Sequence, residues 1–196
     1  MSATTEIVAV TDPRLPELLA DGWRVAHRSW AAQLDADRVD RDALVRMVGA
    51  ATQGGRRTIR PLAGEDVPAV LALDRLTLGD YPGGDATRHP ALTPVRAAPG
   101  PRRFGSGVFD EGGLLLAITY VDVSADARAE TDFTVVRPGH RGRGLGRAVK
   151  AASVLALLER RVRVFRTGGA AENTAIIAVN RALGYVRDEE WVTLER

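Results

Sequence analysis

The spacing of apolar residues along the chain predicts helices alternating with strands. In four segments apolar positions recur every three or four residues, which is the period of a helix that buries one face. These segments are 38–50, 65–76, 145–160 and 173–183. Six shorter segments are rich in apolar or β-branched residues and are bounded by turn residues, which indicates strands. They are 58–62, 107–109, 114–123, 128–137, 162–166 and 185–194.

This order of elements predicts an α/β fold, with a mixed sheet and helices packed on its faces. Within 128–137, near-alternation places Glu130, Asp132 and Thr134 on one face of the strand, with Phe133 and Val135 on the other. Pro and Gly are so frequent between residues 78 and 103 that we expect a long loop there, with room for a short helix.

Composition indicates one globular domain and argues against a nucleic-acid partner. The chain has 196 residues, of which 45% are hydrophobic, so it can bury a core unaided. Its pI of about 9.5 follows from a net charge of only +2, because few groups titrate between histidine and arginine. Arginines alternate with acidic residues and form no basic block, so we expect no nucleic acid to bind.

The absence of cysteine excludes disulfides, thiolate metal sites and a cysteine nucleophile. No apolar run approaches the ~20 residues of a membrane span. Residues 1–10 also lack the basic and apolar regions of a signal peptide. We therefore expect a cytoplasmic protein that has no metal and no membrane partner.

The most informative segment, 134–147, passes from a strand through a glycine-rich turn into a helix. Glycines allow a ligand to approach the backbone closely, and the free amides of a first helical turn favour an anion. A pyrophosphate fits this arrangement best. Arg141, Arg143 and Arg147 add positive charge around the turn.

Three phosphate-binding motifs can be compared with this turn. A P-loop needs Gly-Lys-Ser/Thr, which is missing. A dinucleotide-binding turn needs a third glycine, but Arg147 stands in its place after Gly142 and Gly144. The pattern Arg/Gln-x-x-Gly-x-Gly/Ala is matched by Arg141, Gly144 and Gly146.

With these motifs the chain resembles the GNAT superfamily of N-acetyltransferases. Residues 137–146 resemble the acetyl-CoA pyrophosphate loop of that family, and residues 173–185 are similar to its C-terminal helix with the closing Leu-Gly-aromatic sequence. The resemblance covers about 140 residues, from Arg57 to the end. It implies a mixed, splayed central sheet flanked by helices.

The resemblance also implies where acetyl-CoA binds. Its pyrophosphate would lie on the amides of 141–146, and its pantetheine arm would pair with the strand that precedes the turn. In the family that strand and the one at 162–166 splay apart, leaving a cleft where the thioester meets an amine. The implied cofactor-binding residues are Val135, Val136, Arg137, Arg141, Gly142, Arg143, Gly144, Leu145, Gly146, Arg147 and Asn173. Asn173 also fits a plain helix cap.

Acetyl transfer needs a base to deprotonate the amine and a donor to polarise the thioester carbonyl. By the resemblance, Glu130 matches the position from which some relatives supply the base, often through water. Asp132 shares its face and is the second catalytic candidate. Two solvated acids at a strand end would give the same pattern.

Many relatives carry a tyrosine acid where this sequence has Asn180, which cannot usefully donate a proton. Either Tyr185, Tyr120 or Ser153 protonates the departing thiolate, or coenzyme A leaves as an anion that water protonates later.

The acceptor would be chosen by the loop 78–103, which faces the acceptor side in this family. Polar and acidic residues there favour a cationic amine on a small molecule or a protein; they are Asp80, Tyr81, Asp85 and His89. We expect a monomer or a homodimer. A non-catalytic acyl-CoA sensor and a nucleotide-dependent oxidoreductase are the competing functions.

A polar break at Gln53-Gly54-Gly55 divides the chain into an extension, 1–55, and an acetyltransferase domain, 56–196. The extension is either a truncated repeat of the C-terminal part of the domain or a plain helical extension. Gly22-Trp23 resembles Gly184-Tyr185, which supports the first interpretation.

Overall fold

One mixed sheet organises the computed structural model, which describes residues 4–82, 87 and 89–196. In this part of the chain the sheet has eight strands in the order β1-β8-β2-β7-β6-β5-β4-β3. All neighbours pair antiparallel except β6 and β7, which pair parallel. The strands are β1 (Thr5–Ala9), β2 (Arg24–Asp35), β3 (Arg57–Pro61), β4 (Arg103–Asp110), β5 (Leu115–Val123), β6 (Arg128–Val136), β7 (Val164–Ala170) and β8 (Val186–Glu195).

Helices cover both faces of this sheet. They are α1 (Leu15–Ala20), α2 (Arg41–Thr52), α3 (Val67–Thr77), α4 (Pro94–Ala97), α5 (Leu145–Glu159) and α6 (Thr174–Ala182). Asp40 caps α2 by accepting a hydrogen bond from the amide of Ala43 at 2.9 Å. Helices α2, α5 and α6 share one core, whereas α3 and α4 pack on the opposite face. The predicted α/β architecture is therefore confirmed.

A β-bulge in β6 corrects the predicted alternation along this strand. Pairing with β5 skips Asp132, because Tyr120 pairs with Phe133 and Val121 with Thr131. Glu130 and Asp132 do share the α3 face, but Thr134 lies on the α5 face, where its hydroxyl bonds to that of Thr119 at 2.8 Å. Phe133 and Val135 also pack on the α3 face, together with Glu130 and Asp132. The predicted faces were therefore wrong for Thr134, Phe133 and Val135, because an extra residue reverses the side-chain phase.

The first 35 residues contribute two strands to the same sheet. Strand β2 lies between β7 and β8, and β1 pairs with the outer edge of β8. The segment 1–55 therefore contains two sheet strands as well as the helices α1 and α2. The order β1-β8-β2-β7 is symmetric. Exchanging β1 with β7 and β2 with β8 gives the same order read from the other end, so the units β1–α1–β2 and β7–α6–β8 occupy equivalent positions in the sheet.

The two units share a local geometry as well as an order. Gly22 and Gly184 each follow the unit's helix with a positive φ, 90° and 94°, and each precedes an aromatic residue. When the two segments are aligned in sequence at Gly22 and Gly184, β2 corresponds to β8, and α1 corresponds to the end of α6. This correspondence supports the interpretation of residues 1–55 as a partial repeat.

Side chains from this segment lie in the main core. Trp30, Ala32 and Leu34 of β2 are buried together with Leu44 of α2. They pack in one cluster with Phe165 of β7, so we expect the segment to unfold together with the rest of the domain.

Replacing Leu34 by Ala should lower the free energy of unfolding by about 2–5 kcal/mol, because it leaves a cavity in this core. Urea denaturation followed by both tryptophan fluorescence and circular dichroism measures the change. Val45→Ala on α2 is the control, since Val45 is 57% exposed and should change little. A separate transition confined to the fluorescence signal would contradict a shared core.

Candidate functional site

The central feature of the site is a wedge between β6 and β7. The two strands pair over only three residue pairs, which end at Glu130 opposite Arg166. Both strands continue beyond this point, to Val136 and Ala170, and each remains paired on its other side. Backbone amides and carbonyls that face the wedge are therefore available to a ligand or to water.

An open cavity of about 570 Å³ occupies the wide end of this wedge. Its walls are the end of β6, the turn at 139–144, the start of α5, one face of α6 and residues 80–82. Nine residues predicted to bind the cofactor line it. They are Val135, Val136, Arg141, Gly142, Gly144, Leu145, Gly146, Arg147 and Asn173.

The glycine-rich turn delivers the N-terminus of α5 to the cavity. Gly144 adopts φ of +74° immediately before α5 begins, a conformation that strains other residues. At Gly146 a Cβ would lie 3.3 Å from Cγ2 of Val136, so the close approach of helix and strand favours glycine. The free amides of the first turn, with the helix dipole, make this end of the cavity suited to an anion.

Two of the arginines in this segment have structural partners. Arg137 donates from Nε to the carbonyl of Leu115 at 3.0 Å and does not line the cavity. Arg141 donates from Nε to the carbonyl of Val136 at 3.0 Å and forms an ion pair with Asp80. Arg143 is exposed and also lies outside the cavity wall. The structure thus brings together nine of the eleven predicted cofactor residues.

Asn173 performs the capping role that was the alternative to cofactor binding. Its side-chain oxygen accepts a hydrogen bond from the amide of Ile176 at 3.2 Å. Because Asn173 also lines the cavity, capping fixes its position there and both interpretations remain open.

The two predicted catalytic acids differ in their surroundings. Asp132 accepts hydrogen bonds at one oxygen from Nη2 of Arg96 at 2.8 Å and Nη2 of Arg103 at 2.7 Å. Glu130 is exposed and makes no ion pair with the residues that the structure describes. Neither acid lines the cavity, and both lie on the sheet face opposite α5, near the narrow end of the wedge.

Asp80, Tyr81 and Pro82 of the loop 78–103 form one wall of the cavity. The Tyr81 hydroxyl is buried and has no hydrogen-bond partner among the described residues. Burial raises the pKa of Tyr81 well above its ordinary value, with a further contribution from the Asp74 carboxylate, so the hydroxyl keeps its proton. Asp85 lies outside the described residues.

His89 belongs to the core rather than to an acidic surface. Its Nε2 lies 2.7 Å from Oδ1 of the buried Asp74, whose other oxygen accepts from the amide of Leu92 at 2.9 Å. The His89 ring packs between Tyr81 and Phe133, at centroid distances of 4.9 and 4.2 Å. These contacts fix the loop that carries Tyr81 against α3 and β6.

None of the groups proposed as the acid lines the cavity, as far as the described residues show. Tyr120 donates its proton to the carbonyl of Ala97 on the opposite face of the sheet. Ser153 and Asn180 are buried and lack hydrogen-bond partners within the described chain. Burial raises the pKa of Tyr185, which lies behind the wedge beside Thr131.

Sequence reasoning missed Lys150, which lies at the narrow end of the wedge. Its Nζ donates to Oγ1 of Thr131 on β6 and Oγ1 of Thr167 on β7, both at 3.2 Å. Each threonine is the residue that follows the last paired residue of its strand. Burial lowers the pKa of Lys150 to about 7. The available signal was compositional: Lys150 is the only lysine among 27 basic residues.

Several solved structures of N-acetyltransferases have a similar fold. A tandem GNAT protein from the clavulanic acid biosynthesis pathway has a TM-score of 0.69 and 22% identity, covering 99% of this chain and 63% of that protein. A GCN5-related N-acetyltransferase from Sphaerobacter thermophilus has a TM-score of 0.71 and 17% identity, over 100% and 60%. The ribosomal-protein-S18-alanine N-acetyltransferase from Escherichia coli has a TM-score of 0.55 and 20% identity, over 71% and 92%.

This chain therefore has the fold of the GCN5-related N-acetyltransferases, as its resemblance to that superfamily predicted. It spans about three fifths of the length of the tandem protein. No protein-family model matches the chain, and no curated protein matches its sequence.

Two further observations concern the described residues alone. They contain no helix that is long and apolar enough to span a membrane. They also contain no group of three His, Asp or Glu side chains arranged to hold a metal ion.

The burial of Lys150 predicts a pH dependence of stability. Between pH 7 and 10 the unfolded chain binds a proton at Lys150 that the native chain lacks, so the free energy of unfolding should rise with pH, by up to about 1.4 kcal/mol per unit. Urea denaturation of wild type and Lys150→Met at pH 7, 8 and 9 isolates this contribution as the difference between the two proteins. A difference that stays constant with pH would show that Lys150 is not desolvated in the native state.

Proposed function

We propose that this protein is an acetyl-CoA-dependent N-acetyltransferase, which transfers an acetyl group to a primary amine by direct attack in a ternary complex. The observation that carries the proposal is the wedge between β6 and β7, which opens into a cavity that ends at the glycine-rich turn and the N-terminus of α5. The fold likeness to N-acetyltransferases supports it independently.

The shape and chemistry of the cavity match the parts of acetyl-CoA. At the wide end, the first-turn amides of α5 and the Arg147 side chain suit a pyrophosphate. Along the wedge, the free edge of β6 presents backbone donors and acceptors that can pair with the amides of a pantetheine arm, as an added strand would. The acetyl thioester would then lie toward the narrow end, where the strands meet.

The acceptor amine would enter from the side of Asp80 and Tyr81. The Asp80 carboxylate suits a cationic amine, which would share it with the Arg141 guanidinium. The Tyr81 hydroxyl is buried beside it and keeps its proton. The Escherichia coli enzyme with this fold is named for an alanine of ribosomal protein S18, so a protein amine belongs with small-molecule amines among the proposed acceptors.

Glu130 is the stronger candidate for the general base. The carboxylate of Asp132 is held by two guanidinium groups, which favour its charged form and restrict its movement. Glu130 has no such partner among the described residues and can accept a proton from the ammonium through water. The amine nitrogen then bonds to the acetyl carbon and loses its second proton to water, while the carbon–sulfur bond breaks and the thiolate takes up a proton.

A non-catalytic acyl-CoA sensor is the second candidate function. It is favoured by Asn180, which replaces the tyrosine acid of many relatives, and by the absence of Tyr120, Tyr185 and Ser153 from the described cavity wall. Under this function acetyl-CoA binds but no amine releases thiol.

Acetyl-CoA should bind in the cavity with one molecule per chain and should raise the melting temperature, because it stabilises the native state. Ala178→Trp should weaken binding at least tenfold in a calorimetric titration, since Ala178 is exposed and lines the cavity. Ala182→Trp is the matched control, because Ala182 is also exposed on α6 but lies outside the cavity wall. Stabilisation by NAD and not by acetyl-CoA would instead support an oxidoreductase.

Glu130→Gln should lower kcat about 10²–10⁴-fold and leave the KM for acetyl-CoA within twofold, because only proton transfer is lost. Thiol release across a panel of amines measures it, with Glu111→Gln in the exposed turn before β5 as the control. Thiol release that is unchanged in Glu130→Gln would reject this base. The lack of any thiol release in the wild type, with binding intact, would favour the sensor.

A further inference from the structure

The burial of Lys150 lowers the stability of the native state. Its side chain is buried, and it forms no ion pair with any residue in the described chain. An ammonium without a carboxylate partner in the interior costs stability, whereas an apolar side chain of similar volume at this position would not. Packing alone therefore gives no reason for a lysine here.

The position of Lys150 is set by the same elements that form the wedge. Helix α5 begins at the glycine-rich turn and carries Lys150 to the point where β6 and β7 separate. There its Nζ bonds one hydroxyl from each strand, Thr131 and Thr167. The nitrogen thus lies at the end of the wedge toward which the proposed thioester points.

Two threonine hydroxyls and one small cavity lie between Lys150 and the large cavity. Lys150 and Thr119 both line a small internal cavity of about 10 Å³, which is roughly the space for one water molecule. Oγ1 of Thr119 lies 2.8 Å from Oγ1 of Thr134 and 3.2 Å from the carbonyl oxygen of Phe133, so rotation of the Thr119 hydroxyl directs its one proton to either acceptor. Thr134 in turn lines the large cavity, so proton-carrying groups extend from the lysine to the proposed binding site.

We propose that Lys150 supplies the proton taken up by the departing coenzyme A thiolate, through the hydroxyls of Thr119 and Thr134. This inference rests on the proposed acetyl transfer and assigns the acid that Asn180 cannot be. When the carbon–sulfur bond breaks, Thr134 gives its hydroxyl proton to the sulfur and accepts one from Thr119. A water molecule in the small cavity would reprotonate Thr119 and take its own proton from the Lys150 ammonium. Lys150 then becomes a neutral amine and regains a proton from water after the products leave.

The surroundings of Lys150 suit this role. Burial lowers its pKa to about 7, so it can both hold and release a proton near neutrality. The titratable group that faces it is Tyr185, whose ring centre lies 5.4 Å from Nζ and whose pKa burial raises. The other residues lining the small cavity are uncharged, so the ammonium also stabilises a developing thiolate.

The experiment compares thiol release by wild type, Lys150→Met and Thr119→Val between pH 6 and 9. We expect wild-type kcat to fall above pH about 7 as Lys150 loses its proton. Lys150→Met should reduce kcat about 100-fold and remove this fall, with the KM for acetyl-CoA within twofold. Thr119→Val should reduce kcat while the control Thr193→Val, a buried threonine of β8 outside both cavities, should not.

A merely structural lysine predicts different results. Lys150→Met would then retain the wild-type kcat and pH profile, which would overturn the proposal. The proposal would also be overturned if kcat no longer fell at high pH in Tyr81→Phe but still fell in Lys150→Met. The cavity-lining Tyr81 would then be the acid.

A spectroscopic measurement keeps the test independent of turnover. Since Lys150 is the only lysine, ¹³Cε-lysine labelling gives one signal whose pH titration reports its pKa. Coenzyme A should raise that pKa by about one unit through its thiolate, whereas desulfo-coenzyme A should not. Equal pKa values of Lys150 with the two ligands would overturn the proposed role of Lys150 and leave the proposed acetyl transfer unaffected. Failure of both ligands to bind would overturn the proposed function together with this inference.

Discussion

The site depends on one constraint, which is that β6 and β7 stay parallel neighbours for only three residue pairs. A continuous ladder would use the inner edge of each strand and close the sheet. Because the ladder stops at Glu130 and Arg166, an extended ligand can take the place of the missing strand contacts. The turn, the start of α5 and the buried lysine are all arranged around that opening.

Keeping the opening requires support from both sides. Strand β5 holds β6 on one flank, and β2 holds β7 on the other over seven residue pairs. Ser153 has no hydrogen-bond partner among the described residues and lines the small cavity with Lys150, where an apolar side chain would cost less stability. Two polar side chains, Ser153 and Lys150, therefore lie in the core next to the proposed chemistry.

Local patterns in the sequence were sufficient for the turn and for most of the elements. The glycines at 142, 144 and 146 and the cap at Asn173 specify backbone geometry over a few residues, and these features appear where they were predicted. The bulge at Asp132 could not be foreseen, because alternation assumes one residue per partner, and it moved Thr134 to the α5 face. Arg137 was assigned to the cofactor from its place in a motif, but its side chain bonds Leu115 of β5.

Long-range placement was the part that sequence could not supply. The apolar periodicity of α5 identifies which side chains are buried but treats Lys150 only as an interruption. Its meaning depends on Thr131 and Thr167 meeting at the end of the wedge, which requires the pairing of strands distant in sequence. The insertion of β2 between β7 and β8 depends in the same way on contacts across most of the chain.

Because β2 lies between β7 and β8, cleaving the chain after α2 and deleting the segment before that point should have different effects. The exposed glycines at 54 and 55 form a natural site for a protease, yet the strand upstream of them fills the sheet between two strands from the other end of the chain. A cut there should leave two fragments that remain associated as a non-covalent complex. A gene fragment that starts after the turn would instead encode a protein whose β7 has a bare edge, open to pairing with another copy.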